Sequence, residues 1–277
     1  MRTPLLSPAQ VRQQLEHLGI SPNKALGQNF LVDQLALEAM MDCLQGQGLP
    51  VLEIGPGLGA LTQALCASAS QVVAVEKDAA MVQALASAIH CTNLAVLEGD
   101  FLQADLQDIQ ARLGGGAFLA AGNLPYYITT PIALRLLGEG YPIPRMVLMV
   151  QREAAQRFFA RPGNRVYGPL GVLAGCGYKV EEVLHLSPAS YYPQPEVHSS
   201  VILLQAKGQP LPAGFLPFLE RVFAMRRKTL PNNLAAAGWS RDEAAAALAG
   251  LGIAPAARAE ALEPEALFAL FQQRPLR

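Results

Sequence analysis

The feature that most constrains the fold is an alternation of short apolar runs and helical segments between residues 51 and 158. The first repeat, "VLEIGPGLGALTQALCA", passes from an apolar run through a glycine turn into helical periodicity. Further strand-like runs follow in "QVVAVEKD", "LAVLEGD", "AFLAAGN" and "RMVLMV". Strands that alternate with helices form a parallel sheet that is covered by helices on both faces. We therefore predict an α/β fold.

The carboxyl-terminal part of the sequence has a different pattern. "KVEEVLHLS" and "HSSVILLQA" have no helical segment between them, which predicts an antiparallel pair at one edge of a mostly parallel, seven-stranded sheet. After the linker-like stretch "GQPLPAG" only helical periodicity remains, at residues 215–226, 231–237, 241–251 and 264–273. We predict two domains, an α/β domain at residues 1–206 and a small all-helical domain at residues 207–277.

Composition argues against membrane, secreted and metal-binding classes of protein. Of 277 residues 51% are hydrophobic, but the apolar runs are shorter than the roughly 18 residues that a membrane span needs. The first residues, "MRTPLLSPAQVRQQ", lack the apolar core of a signal peptide. Cys43, Cys66, Cys91 and Cys176 form no C-x-x-C pair. We expect a cytoplasmic protein with reduced cysteines and no metal site.

The near-zero net charge hides an asymmetry along the chain. Residues 1–144 carry 12 acidic and 6 basic side chains, a net charge of −6, whereas residues 145–277 carry 10 acidic and 15 basic ones, a net charge of +5. The basic residues cluster in "RMVLMVQREAAQRFFARPGNRVY" and "ERVFAMRRKTL". Such clusters are typical of surfaces that face a polyanion, although solvated helix faces give the same pattern.

The glycine turn "EIGPGLG" at residues 53–59 predicts a ligand at the amino end of the following helix. With Glu76 about 20 residues further on, the turn satisfies the dinucleotide fingerprint of a dehydrogenase. Glu53 before the turn and Asp100 after a later strand favour S-adenosylmethionine instead. Neighbouring carboxylates repel a pyrophosphate, but they suit ribose hydroxyls and an adenine amino group. The turn alone leaves both ligands open.

A second motif, "GNLPYYIT" at residues 122–129, follows the apolar run "AFLAAG". Pro125 cannot donate to a strand ladder, so the strand must end near Asn123. In open α/β sheets, ligands bind beyond the carboxyl ends of the strands. The motif thus offers an amide and aromatic rings to a ligand, although a polar turn closed by ordinary aromatics has the same composition.

Several motifs occur in the order that is typical of the ribosomal RNA adenine dimethyltransferase family. They are "KALGQNFL", "VLEIGPGLGALT", "VAVEKD", "EGDFL", "GNLPYYI", "YYPQPEVHSSV" and "RRKTL". The chain resembles this family from about Leu26 to Leu234. It is most similar to the bacterial members that dimethylate two adjacent adenosines near the 3′ end of small-subunit (16S) ribosomal RNA.

This resemblance implies a Rossmann-like, S-adenosylmethionine-dependent methyltransferase domain followed by a helical RNA-docking domain. It implies S-adenosylmethionine as the methyl donor and 16S rRNA within the small (30S) ribosomal subunit as the partner. It further implies a role in subunit biogenesis for an enzyme that acts as a monomer.

The resemblance also assigns roles around the adenine. The Asn123 side-chain oxygen and the Leu124 carbonyl would accept the two N6 protons, and Pro125 would aim that carbonyl through its fixed φ. Tyr126 would stack on one face of the extruded base, and Tyr191, where relatives usually carry Phe, on the other.

Further residues are assigned by the same resemblance. Those expected to bind the cofactor are Gln28, Asn29, Leu31, Gly55, Gly57, Glu76, Asp100 and Asn123. Those expected to contact RNA phosphates are Arg152, Arg157, Arg161, Arg165, Arg226, Arg227 and Lys228. Tyr127 and Tyr192 are expected to be packing neighbours of the stacking tyrosines.

The sequence departs from the family pattern at Glu196, where Lys is usual, at His198, often Asp, and at Pro231, usually polar or basic. These differences concern RNA docking. Two related alternatives stay open: a large-subunit adenine methyltransferase of the macrolide-resistance type, and a non-catalytic ribosome-assembly factor on the same fold. "ARPGNRVYG" and "RRKTLPNNL" favour the small-subunit type, and the intact "NLPY" favours an enzyme.

Overall fold

The computed structural model describes residues 5–23, 27–46 and 48–274. Lys24, Ala25 and Leu26 of the motif "KALGQNFL" lie outside the described residues. The strands are β1 (Phe30–Leu31), β2 (Val51–Ile54), β3 (Val72–Glu76), β4 (Leu94–Glu98), β5 (Leu119–Asn123), β6 (Arg145–Gln151), β7 (Tyr178–Leu186), β8 (Tyr191–Tyr192) and β9 (Ser199–Ala206).

Helices cover about half of the remaining described chain. They are α1 (Pro8–His17), α2 (Gln34–Leu44), α3 (Ala60–Cys66), α4 (Ala79–Ala88), α5 (Leu106–Arg112), α6 (Thr129–Gly138), α7 (Arg152–Phe158), α8 (Pro169–Gly177), α9 (Phe215–Phe223), α10 (Leu230–Ala236), α11 (Arg241–Gly250) and α12 (Pro264–Gln273). None of the helices in the described ranges is both long and apolar enough to cross a membrane.

A seven-stranded sheet has the order β4-β3-β2-β5-β6-β9-β7. Its central pairs, β4 with β3, β3 with β2, β2 with β5 and β5 with β6, are parallel, whereas β9 runs antiparallel to β6. The predicted α/β fold with a mostly parallel sheet is confirmed, and β7 and β9 are neighbours at one edge as expected. The strand order reverses between β2 and β5, which opens a crevice at the carboxyl ends of these strands.

The central strands are buried along their whole length. Every residue of β2 and β3 is buried, as expected for strands that are covered on both faces and therefore read as continuous apolar runs. Helix α2 turns Ala36, Leu37, Met40 and Leu44 inward at helical spacing. They join a core cluster that includes Leu119 of β5.

Gly122 in β5 is required by the close approach of two backbones. A Cβ atom at this position would lie 2.5 Å from the carbonyl oxygen of Ile54 at the end of β2. No larger residue fits without separating the strands. The glycine therefore keeps Asn123 beside the glycine turn that follows β2.

The chain forms two compact units that are discontinuous in sequence. The first comprises Met1–Ile132, Pro142–Ala155 and Glu181–Gln205, and the second comprises Ala133–Tyr141, Gln156–Val180 and Ala206–Arg277. One join, between Gln205 and Ala206, lies one residue before the boundary predicted between residues 206 and 207. The second unit contains α9 to α12, at nearly the predicted positions, and also takes in two segments that the sequence placed in the first domain. The assignment of a separate role to each domain stays a prediction.

Candidate functional site

A cavity of about 820 Å³ lies in the first unit at the carboxyl ends of β2, β3, β4 and β5. Its volume is within the range of sites that bind small molecules. The cavity is lined by every residue that the sequence predicted to bind cofactor: Gln28, Asn29, Leu31, Gly55, Gly57, Glu76, Asp100 and Asn123. The fold thus brings these residues together, because the carboxyl ends of parallel strands meet at one edge of the sheet.

Glu76 at the end of β3 holds the glycine turn in place. Its Oε2 accepts a hydrogen bond from the Gly57 backbone N–H at 3.1 Å, and its Oε1 accepts one from the Asp78 N–H at 2.9 Å. Gly57 has φ of +56°, and a Cβ there would lie 3.3 Å from the Phe30 ring. Burial raises the pKa of Glu76 although these bonds lower it. Each carboxylate oxygen can still accept a second hydrogen bond from a ligand.

Asp100 is held by its neighbours at the far side of the cavity. Its Oδ2 accepts a hydrogen bond from the Lys77 ammonium at 2.9 Å, and its Oδ1 accepts one from the Leu102 N–H at 2.9 Å. Lys77 also lines the cavity, although no motif in the sequence singles this residue out. The ion pair therefore orients the carboxylate at the cavity wall.

Gln28 connects the segment that begins at Gly27 to Asp78, which follows β3. Its side-chain nitrogen donates to Asp78 Oδ2 at 2.8 Å, and its side-chain oxygen accepts from the Asn23 N–H at 2.8 Å. Both polar groups of Gln28 thus contact protein. The residue lines the cavity, but its amide holds the loop that carries Asn29 by hydrogen bonds to Asp78 and Asn23.

Asn123 has a fixed amide orientation. Its side-chain nitrogen donates to the Asn29 carbonyl at 2.9 Å, which identifies the side-chain oxygen as the atom that is left to accept a hydrogen bond from a ligand. The next residue, Leu124, donates its N–H to the Met149 carbonyl of β6 at 2.9 Å. The motif is therefore held on both sides, by the amino-terminal segment and by the neighbouring strand.

Tyr126 begins a short 3₁₀ turn, Tyr126–Ile128, directly after Pro125. Its ring is half-buried, and its hydroxyl lies 2.9 Å from Ser199 Oγ at the start of β9. Thr129 Oγ donates to the Pro125 carbonyl at 3.1 Å and closes the turn. The ring predicted to stack on the base is thus tied to the sheet at its hydroxyl.

The other tyrosines do not all lie where the resemblance placed them. Tyr191 is 1% exposed and belongs to the core cluster that contains Leu186 and Val201, so in this structure it offers no ring face to a base. The antiparallel pairing of β8 with β1 turns its ring inward. Tyr127, expected to be a packing neighbour, is instead 52% exposed and lines the cavity. Tyr192 packs beside the cluster of Phe30, as expected for a packing residue.

Glu53 is a buried acid in the cavity wall to which the sequence assigned no contact. Its side chain is 1% exposed, and within the described residues its Oε2 has no hydrogen-bond partner. Burial raises the pKa of Glu53 to about 8, the nearby Thr62 hydroxyl lowers it, and Glu76 raises it further. A buried acid that lacks a partner favours a positively charged ligand beside it. Its place before the glycine turn was the only sequence signal.

The two basic clusters meet within the second unit. Arg226 donates from Nη1 to the Arg165 carbonyl at 3.0 Å, and its Nε lies 3.5 Å from Glu260 Oε2. Arg226 therefore braces the loop around Arg165. The exposed basic residues of the second unit that the sequence assigned to RNA are Arg157, Arg161, Arg165, Arg226, Arg227 and Lys228. Arg152 is also exposed, but it belongs to the first unit.

Comparison with known sequences gives a consistent set of relatives. A family model described as "Ribosomal RNA adenine dimethylase" matches residues 19–274. The protein named "Ribosomal RNA small subunit methyltransferase A" in Acidobacterium capsulatum is 40% identical over 254 residues, with 89% of each chain covered. The protein of that name in Moorella thermoacetica is 38% identical over 272 residues, with 94% of each chain covered.

Solved structures share the fold. A dimethyladenosine transferase from Plasmodium falciparum aligns with a TM-score of 0.69 and 22% identity over 88% of this chain and 96% of its own. The 23S rRNA methyltransferase ErmE aligns with a TM-score of 0.59 and 26% identity over 88% of this chain and 99% of its own. Both alignments extend over most of this chain, so the likeness includes the sheet and the helices that follow it.

Proposed function

Because the chain belongs to the ribosomal RNA adenine dimethylase family, we propose that it transfers methyl groups from S-adenosylmethionine to N6 of two adjacent adenosines near the 3′ end of 16S rRNA in the small ribosomal subunit. The observation that carries this proposal is the Asn123 amide. Its bond to the Asn29 carbonyl leaves the side-chain oxygen to accept a hydrogen bond, and in the proposed complex the donor would be the substrate amine at the rim of the cavity.

The acidic side chains of the cavity would match the polar and charged groups of S-adenosylmethionine. Glu76 would accept hydrogen bonds from the ribose hydroxyls, and Asp100 would accept one from the adenine amino group. Glu53, buried and without a partner for Oε2 among the described residues, would lie near the positive charge. When bound, S-adenosylmethionine supplies a methyl group on a cationic sulfur. Family membership removes the dehydrogenase alternative that the glycine turn had left open.

Asn123 would act on the substrate amine rather than on the methyl donor. The lone pair of adenine N6 is delocalised into the ring, which makes the amine a poor nucleophile. Hydrogen bonds from its two protons to the Asn123 oxygen and the Leu124 carbonyl would fix the amine and favour a more tetrahedral nitrogen. The methylated amine sheds its proton readily, so no strong base is needed. A neutral amide also does not compete for the methyl group.

The runner-up is methylation of large-subunit RNA. It is favoured by the likeness to ErmE, a 23S rRNA methyltransferase, at 26% identity. The curated relatives at 38–40% identity carry a small-subunit name instead, and this higher similarity makes 16S rRNA the proposed target.

The test uses the full chain with S-adenosylmethionine and 30S subunits from a strain that lacks this methylation, with 50S subunits in parallel. Mass spectrometry of the digested RNA should show N6,N6-dimethyladenosine in 16S rRNA, and primer extension should stop at two adjacent adenosines. A product on 23S rRNA alone would establish the runner-up. A product methylated on a ring carbon or a ribose, or no product, would contradict the proposed chemistry.

The second basic cluster gives a separate prediction about RNA docking. Arg227 and Lys228 are exposed, whereas Arg226 is engaged with Arg165 and Glu260. Replacing Arg227 and Lys228 together by alanine should lower the slope of log affinity against log salt by about 0.7–0.9 for each phosphate that is no longer neutralised. Filter binding to 16S rRNA at several salt concentrations measures the slope.

A matched control for that experiment is Arg112→Ala, which removes an exposed arginine of the first unit that pairs with Asp108 on its own helix. It should leave the salt slope unchanged. If the Arg227–Lys228 variant also kept the wild-type affinity and slope, the cluster would be a solvated helix face. Calorimetry with S-adenosylmethionine should show equal cofactor affinity in both variants.

A further inference from the structure

Ser199 is a buried serine whose hydroxyl contacts the side chain of Tyr126. It is 0% exposed, and its Oγ lies 2.9 Å from the hydroxyl of Tyr126. The Tyr126 ring is half-buried, so one end of the ring is fixed in the protein while part of its surface stays accessible. Neither sequence motif that contains these residues suggests the pair, because they are 73 positions apart.

The pairing of β9 with β6 and of β6 with β5 connects Ser199 to the residues that would hold the adenine amine. Ser199 opens β9 opposite Gln151 of β6. On the same β6, Met149 lies opposite Asn123 and accepts the Leu124 N–H at 2.9 Å. The Tyr126 hydroxyl and the Asn123 backbone are therefore both attached to β6, directly or through β9. A ring anchored in this way keeps a fixed position relative to the Asn123 amide.

The choice of partner for Ser199 points to a role beyond packing. Tyr191 is a second buried phenol, and its hydroxyl lies within reach of the Ser199 and Tyr126 hydroxyls, but it forms no well-aligned hydrogen bond within the part of the chain that the structure describes. An unsatisfied buried hydroxyl destabilises the folded state. The aligned hydrogen bond of the Ser199 hydroxyl is nevertheless made to Tyr126, which is only partly buried. Burial also raises the pKa of Tyr126, so the phenol stays protonated and the bond persists at neutral pH.

We propose that Ser199 is a positioning residue that holds the Tyr126 ring in the orientation needed to stack on the target adenine. The inference rests on the proposed function, because it assigns Tyr126 to the base. Ser199 itself would touch neither the RNA nor the methyl donor. Its effect on the reaction would pass through the Tyr126 hydroxyl.

The test is a double-mutant cycle of Ser199→Ala and Tyr126→Phe on the full chain with 30S subunits. Each single variant should lower kcat about 3- to 10-fold, as expected for the loss of one neutral hydrogen bond. The double variant should be no slower than either single variant, because both remove the same bond. KM for S-adenosylmethionine and for 30S subunits should stay within about twofold, since the ring contributes to alignment rather than to docking.

Ser200→Ala is the matched control. Ser200 is also 0% exposed, but it follows Ser199 on the strand and so points to the opposite face. Its Oγ makes no hydrogen bond within the described residues, so this variant should keep wild-type kinetics. Thermal unfolding of all variants identifies any loss of folding.

Additive losses in the double variant, or wild-type kcat in Ser199→Ala, would overturn the inference. NMR of the Tyr126 ring carbons tests it without activity: ring flips should be faster in Ser199→Ala than in the wild type, and equal rates would contradict the positioning role. A wild type that methylates no adenine would refute the proposed function instead, and the ring-flip rates would still decide whether Ser199 fixes the ring.

Discussion

Replacing Asn123 with alanine is expected to lower the methylation rate about 10²- to 10³-fold, the usual cost of removing one aimed hydrogen-bonding group from a transition state. The side-chain oxygen would hold the substrate amine as the methyl group moves to it. Alanine keeps the strand but removes that acceptor. Single-turnover kinetics with 30S subunits measure the rate of the chemical step without product release.

Cofactor affinity should change much less in the same variant. The Asn123 nitrogen donates to the Asn29 carbonyl, and Asn29 lines the cavity. Loss of this neutral hydrogen bond should weaken S-adenosylmethionine binding by no more than about 10-fold, which calorimetry will show. A fully active Asn123→Ala enzyme would contradict the role of the amide. A loss of cofactor binding as large as the loss of rate would show that Asn123 acts mainly on the cavity.

Asn123→Asp separates the two atoms of the amide. The carboxylate keeps an acceptor for the amine, but it cannot donate to the Asn29 carbonyl. Two acceptors would then face each other at the position of the present 2.9 Å hydrogen bond. We expect this variant to be slower than the wild type even though it retains an acceptor for the substrate amine.

The residues that line the cavity were predictable because local patterns determine where strands end. The strand ends at Glu76 and Asn123 and the turn at Gly55 and Gly57 follow from apolar runs, glycines and a proline. In a parallel sheet, these ends meet at one edge. The set of residues around the cavity therefore depends on topology and strand boundaries, both of which the sequence indicates.

The directions of the tyrosines could not be read from the sequence. In each "YY" pair the two rings point differently, and long-range structure decides which is buried. The pairing of β8 with β1 buries Tyr191, and the 3₁₀ turn after Pro125 leaves Tyr127 exposed. A family motif assigns a position to the stacking ring, but its orientation depends on contacts made between distant segments.

The partners of the charged and polar side chains could not be predicted from the sequence for the same reason. Gln28 reaches Asp78, and Arg226 lies beside Glu260, although nothing in the local sequence connects them. Glu53 is the opposite case, since its place before the glycine turn was visible. Its raised pKa depends on complete burial, which only the packed fold provides.

Replacing Glu76 with alanine is expected to weaken S-adenosylmethionine binding about 10- to 150-fold, the range for the loss of hydrogen bonds to a charged group. The variant would lose the proposed ribose contacts and also the acceptors that hold the Gly57 and Asp78 N–H groups. Glu76→Gln should be nearly as weak, because its side-chain NH₂ would face a backbone N–H donor. Isothermal calorimetry at constant ionic strength measures both affinities.

The affinity for S-adenosylmethionine is also expected to change with pH in a defined direction. Burial raises the pKa of Glu76 above its usual value, and Asp78 adds to the increase. Because binding needs the carboxylate, affinity should be complete above this raised pKa and fall as pH decreases through it. Glu76→Gln should lack that acid-side decrease. An unchanged acid-side decrease in Glu76→Gln, or wild-type affinity in Glu76→Ala, would show that Glu76 does not bind the cofactor.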